Sequence, residues 1–191
     1  MTGKDSRVLL SYDSVSLLVG NEKLGVITLT DKTKDRALSI ICGIGIANEL
    51  KLRDELPDGA FGKRLPEVLV KTLGYLDDLT SYYIYISGIR NGEYISSLMN
   101  EEQDLCLPLR VSEAVLLARI MHIDMFIDAG LMMRQSSAYE QGAQKMTIPL
   151  NALKTEELVD ELEKAISKED YRQASYIKEE LDRRKHDAGN E

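Results

Sequence analysis

The chain has 191 residues with 43% apolar and 29% charged content, which predicts a soluble globular protein with one domain of ordinary size and an appendage. No apolar run reaches the roughly 20 residues of a membrane helix. The N-terminal MTGKDSRVLLSYDS lacks the sustained apolar stretch of a secretory signal, so a cytoplasmic location without membrane attachment is expected. The net charge of −8 divides into −4 for residues 150–191 and −4 for the rest, and neither part carries the basic excess that gives general affinity for phosphate backbones.

Residues 24–30 (LGVITLT) read as a strand, and Asp31–Asp35 read as a turn. Leu38–Cys42 reads as a second, largely buried strand. Helical spacing follows from Ile46 through Ala47 and Leu50 toward Leu56, ending at the turn Pro57-Asp58-Gly59. Pro66 starts the next helix, where a missing N–H costs nothing, and Val68, Leu69, Thr72, Leu73 and Leu76 are expected to form its inner face. Tyr82–Ile86 is strongly strand-forming, and Arg90-Asn91-Gly92-Glu93 is a hairpin turn into a strand over Tyr94–Met99. Leu105–Leu109 continues the β content. Ser112 reads as the N-cap of a helix through Ala114, Val115, Ala118 and Met121, followed by a short strand at Met125–Ile127. Residues 132–144 read as irregular, and Pro149 and Asn151 mark a linker. This order predicts an α+β body over residues 1–148, with a mixed, largely antiparallel sheet and packed helices.

Residues 149–186 are expected to form an αα-hairpin, and 187–191 a disordered tail. Leu158, Leu162, Ala165 and Ile166 make one apolar stripe; Tyr171, Ala174, Ile177 and Leu181 make a second. Ser167–Asp170 reads as the cap that starts the second helix, with small Ala174 and Ser175 at the crossing. Two helices this short do not bury both stripes alone, so the hairpin is expected to lean on the body or on a partner. The steps Glu169-Asp170-Tyr171, Ala174 and Ile177-Lys178-Glu179-Glu180-Leu181 closely resemble the UVR motif of the excision-repair subunits UvrB and UvrC. That resemblance implies a protein-docking element that meets another protein or a copy of itself through Tyr171, Ala174, Ile177, Lys178 and Leu181.

The body, over roughly residues 24–130, resembles the bifunctional nuclease family. The residues that carry this are Arg36-Ala-Leu-Ser-Ile-Ile-Cys-Gly43, Gly92-Glu-Tyr-Ile95 and Arg110-Val-Ser-Glu-Ala114. Fusion to a UVR motif is an arrangement known in that family. The chain departs from the family at Ile46-Ala47, where a carboxylate is missing. It departs again at Leu65-Pro66-Glu67, where only the acid of a Thr-His-Asp step survives, and at Pro108, which replaces an acid. The resemblance implies cleavage of DNA or RNA phosphodiesters with a divalent metal, Mg²⁺ or Mn²⁺, held by Glu113 and Glu67. Arg36 and Arg110 either grip a phosphate or pair with those acids. Ser112 would contact substrate, although an N-cap explains it more simply than a nucleophile.

The alternative is a catalytically silent adaptor or regulator linked to DNA repair or stress. Elsewhere, no zinc spacing, Walker loop or dinucleotide fingerprint is present. His122 reads as a core or capping residue, and Cys42 and Cys106 as buried free thiols of a reducing compartment. The hairpin stripes and the methionines of 121–133 together predict a homo-oligomer.

Overall fold

A computed structural model describes residues 6–17, 23–139, 150 and 153–188. Among them, eight strands form one sheet: β1 Arg7–Leu17, β2 Leu24–Asp31, β3 Arg36–Gly43, β4 Tyr82–Arg90, β5 Glu93–Asn100, β6 Leu105–Leu109, β7 Asp124–Asp128 and β8 Ser136–Ala138. Their order is β6-β5-β4-β7-β1-β2-β3-β8. All neighbours run antiparallel except β4 and β7, which are parallel. The helices are α1 Ile44–Glu55, α2 Leu65–Leu76, α3 Val111–Met121, α4 Ala129–Gln135, α5 Thr155–Ser167 and α6 Tyr171–Ala188. The protein is therefore α+β, with a mixed, mostly antiparallel sheet and a C-terminal helix pair.

Strand alternation places Ile27, Leu29, Leu38, Ile40, Ile84, Ile86 and Ile127 in the core, fully or almost fully buried. There they pack with Ala47 and Leu50 of α1 and Ala114, Val115 and Ala118 of α3. Gly25 lets α1 lie close to β2, because a Cβ there would sit 2.5 Å from the Cβ of Ala47. The β4–β5 turn has positive φ at Asn91 (50°) and Gly92 (78°), the backbone that suits the twist of a two-residue hairpin. Pro108 falls on edge strand β6, where the missing N–H breaks no central ladder.

Several expectations change. The N-terminal segment was not expected to be a strand, yet β1 occupies the sheet between β7 and β2. Part of the stretch expected to be irregular is ordered as α4 and β8, with Asp128 accepting the N–H of Leu131 at 2.8 Å to start α4; residues 140–149 lie outside the described residues. Met121, Met125 and Met132 are buried in the core, so they supply no sticky surface. Cys42 is buried but Cys106, on the edge strand, is exposed, and both are free thiols.

The α2 helix reverses its expected orientation. Its half-buried side holds Glu67, Val70 and Leu73, while Val68, Leu69, Thr72 and Leu76 face solvent.

The hairpin has its own core of Leu158, Ala165, Ala174, Ile177 and Leu181, closed by Leu150, Leu153 and Leu162. Ser167 ends α5 and donates to the carbonyl of Lys164, whereas Asp170 accepts the N–H of Gln173 at 3.0 Å and caps α6. Ala174 is buried at the crossing with Ala165; Ser175 is exposed. The α6 helix runs on to Ala188, into the segment expected to be tail, and 189–191 lie outside the described residues. Among the described residues, no helix is long and apolar enough to cross a membrane.

Candidate functional site

The residues nominated for chemistry fall in three separate places. Arg36 begins β3, and its side chain bonds to the α4–β8 junction. Nε donates to Ser136 Oγ and Nη2 to the Ser136 carbonyl, each at 2.6 Å, with Met133 O at 3.3 Å. These contacts satisfy carbonyls at a helix end and fasten β8 to β3, so Arg36 is a structural staple.

The second group opens α3. Arg110, not Ser112, is the N-cap; Ser112 is the second helical residue and half-buried. Arg110 Nη2 donates to Glu113 Oε1 at 3.0 Å, with side-chain exposures of 81% and 38%, so the pair is open to water. His122 ends this helix in a left-handed conformation (φ 55°) with its ring exposed, which fits capping rather than a core position.

The third group surrounds Glu67. Residue Arg53 of α1 is buried and lies between two acids, in a close ion pair with Glu67 and at 2.9 Å from Glu49. Arg64 Nη1 donates to the same Glu49 oxygen at 2.7 Å. The Arg53 guanidinium stacks on Phe61 at 4.3 Å from the ring centroid. Both Glu67 oxygens are buried without an aligned hydrogen bond among the described residues, so the contact with Arg53 is charge against charge. Arg53, Glu49 and Phe61 were not nominated from the sequence. The one signal for them was the i,i+4 spacing of Glu49 and Arg53, which is common on any exposed helix face.

Glu67 pairs with Arg53 of α1 and borders a groove with Ile120 of α3, whereas Glu113 pairs with Arg110 at the start of α3. Two carboxylates sharing one divalent cation must each come within about 2.0–2.6 Å of it. Among the described residues, no group of three or more His, Cys, Asp and Glu side chains is placed to hold a metal ion. Glu67 and Glu113, the acids that the nuclease resemblance implies for Mg²⁺ or Mn²⁺, each face an arginine instead.

A neighbouring network is equally structural. Asp54 of α1 accepts from Tyr12 of β1 at 2.7 Å and from Arg119 of α3 at 2.5 Å, and Arg119 stacks on the Tyr12 ring. Burial first, then the bond to Asp54, pushes the Tyr12 phenol well above its ordinary range. Burial likewise raises the Cys42 thiol to about 11, which keeps it protonated and unreactive near neutrality.

Of the hairpin residues nominated for docking, Ala174, Ile177 and Leu181 are buried in the hairpin's own core, while Tyr171 and Lys178 are exposed. Val159 and Ile166, seven residues apart on α5, are exposed with Tyr171 just past the turn. The base of the hairpin is tied by buried Glu180, which receives Arg183 at 2.6 Å and Arg184 at 2.9 Å. Arg184 also donates to the Leu153 carbonyl at 2.7 Å. Tyr176 and Glu179 of α6 line one cleft together with Ile89, Leu131 and Arg134 of the body.

No protein-family model and no curated protein matches this chain.

Proposed function

We propose that this chain is a non-catalytic adaptor, built on a bifunctional-nuclease-like fold, that docks a protein partner through its UVR-like hairpin. One observation carries this reading: each nominated acid and arginine already has an intramolecular partner. Phosphodiester cleavage by a metal needs carboxylates free to bind the ion at a shared point. Here Glu67 neutralises buried Arg53, and Glu113 faces Arg110.

The docking row is the exposed line Val159, Ile166 and Tyr171, with Lys178 beside it. Ala174, Ile177 and Leu181 act behind it by holding α5 to α6. Two free cysteines, one of them exposed, support work in a reducing compartment such as the cytoplasm.

The competing reading, metal-dependent cleavage of DNA or RNA, keeps one favourable observation: the Arg110–Glu113 pair lies in the first turn of α3, open to solvent. A nuclease assay separates the two. Purified protein is incubated with single- and double-stranded DNA and RNA in Mg²⁺ or Mn²⁺, beside Glu113→Ala and an EDTA control. The adaptor reading expects no cleavage in any arm. Cleavage by the wild type that is lost in both controls would overturn it.

A further inference from the structure

The outward face of α2 has the form of a helix–helix seam. Leu65, Leu69, Thr72 and Leu76 follow one another at steps of four, three and four, the spacing that lets one helix lie along another. Leu65 is 70% exposed, Leu69 59% and Leu76 80%, with Val68 and Tyr75 exposed along one flank. The Thr72 hydroxyl donates back to the Val68 carbonyl at 2.8 Å, so it enters the seam with its donor satisfied. The opposite side of α2, through Glu67 and Val70, faces the protein. A surface helix normally turns such a stripe inward, and a contiguous apolar patch of this kind marks an interaction site.

The charges flanking α2 say what covers it. Lys63 and Arg64 precede the helix, and Asp77 and Asp78 follow it. Glu67 in the first turn suits the helix dipole, but these flanking charges run the other way, base at the N-terminus and acid at the C-terminus. An antiparallel copy of the same helix corrects the mismatch. Turned about a two-fold axis between Val70 and Lys71, Leu65 lies against the partner's Leu76, and Leu69 against the partner's Thr72. Lys63 then lies against the partner's Asp78, and Arg64, which also reaches Glu49, comes beside the partner's Asp77, whose carboxylate also accepts from Tyr82 and Gln103. The match is self-complementary, as a two-fold interface requires.

We infer that α2 pairs antiparallel with α2 of a second copy of this chain, forming a two-fold dimer. The dimer does not depend on what the hairpin docks. Each copy contributes one short helix, an interface at the small end of specific contacts, so the association is weak and depends on concentration.

The test uses the full chain. Sedimentation velocity between about 5 and 200 µM is expected to show the mass doubling with concentration. Leu69→Glu should stay monomeric throughout with an unchanged circular dichroism spectrum, because the side chain it replaces is exposed. For orientation, Leu65→Cys and Leu76→Cys are each made in a Cys106→Ser background. Oxidation of the mixture should give a disulfide-linked dimer, while Leu65→Cys alone should not. A wild type that is monomeric at every concentration would overturn the inference. So would a dimer that survives Leu69→Glu, or Leu65→Cys linking to itself, which would mean parallel helices.

Discussion

Helices α2 and α3 are of similar length and both are rich in apolar residues, yet one hides its stripe and the other displays it. In α3 the stripe is Ala114, Val115, Ala118 and Met121, and all four are buried. Two alanines four residues apart let that helix lie close to the sheet. In α2 the stripe consists of leucines, Val68, Thr72 and Tyr75, and no residue of the helix is fully buried. Glu67, on its other side, meets buried Arg53 of α1. Turning the apolar stripe inward would carry Glu67 into water and leave Arg53 and its charge buried without that partner, a penalty of several kcal/mol. The ion pair therefore orients the helix, and the apolar face is left for another molecule.

The sharpest way to break this comparison is to place one acid on each stripe. Val115→Asp should cost about 4 kcal/mol or more and abolish cooperative unfolding, because it buries an unpaired carboxylate. Leu69→Glu should change stability by less than about 0.5 kcal/mol in dilute solution. Urea denaturation checks both, through loss of the cooperative transition in the first variant and the midpoint in the second.

The next effect concerns the anchor. Arg53→Ala removes the cation between Glu49 and Glu67 and should cost about 3 kcal/mol. Amide exchange should then rise over residues 65–76 well before it rises over 111–121. If both helices loosened together, the ion pair would not be what orients α2.

A smaller effect tests the packed side of the molecule. The hydroxyl of Tyr94 is buried and has no hydrogen-bond partner among the described residues, so Tyr94→Phe should raise stability by about 1 kcal/mol. Burial first, then the charge of Glu180, pushes this phenol above its ordinary range. The folded chain thus keeps a proton that the unfolded chain loses above about pH 10. The contribution is fully present below that pH and is lost as pH rises toward the folded value. Urea midpoints at rising alkaline pH should fall less steeply for Tyr94→Phe than for the wild type.

The smallest effect belongs to the exposed pair. Arg110→Ala should shift stability by less than about 0.5 kcal/mol, as exposed ion pairs do. A larger loss by thermal denaturation would mean that the opening turn of α3 is more tightly built than its exposure indicates.

Much of the architecture was legible because periodicity and turn chemistry are local. The strands from Leu24 to Cys42, the Asn91-Gly92 turn and the hairpin followed from spacing, whereas the burial of Met121, Met125 and Met132 did not. Strand β1 did not, because Arg7–Leu17 interrupts its alternation with serines and with an irregular register at Tyr12–Ser14, and its place depends on β2 and β7. The α2 stripe was legible as a stripe but not in direction, since spacing defines a face and says nothing about what lies opposite. The nominated site residues were chosen by resemblance, and the arginines that pair with them decide what they do. Arg53 lies 14 positions from Glu67 on another helix, a distance over which no local pattern connects them.

The orientation of α2 leaves its exposed face free to act as a contact surface. Amide exchange followed by mass spectrometry at about 5 and about 150 µM protein measures this directly. Protection over residues 65–76 should rise with concentration in the wild type and stay flat in Leu69→Glu, while residues 111–121 stay equally protected throughout. An α2 as protected as α3 at both concentrations would contradict the account, because its stripe would then be covered within a single chain.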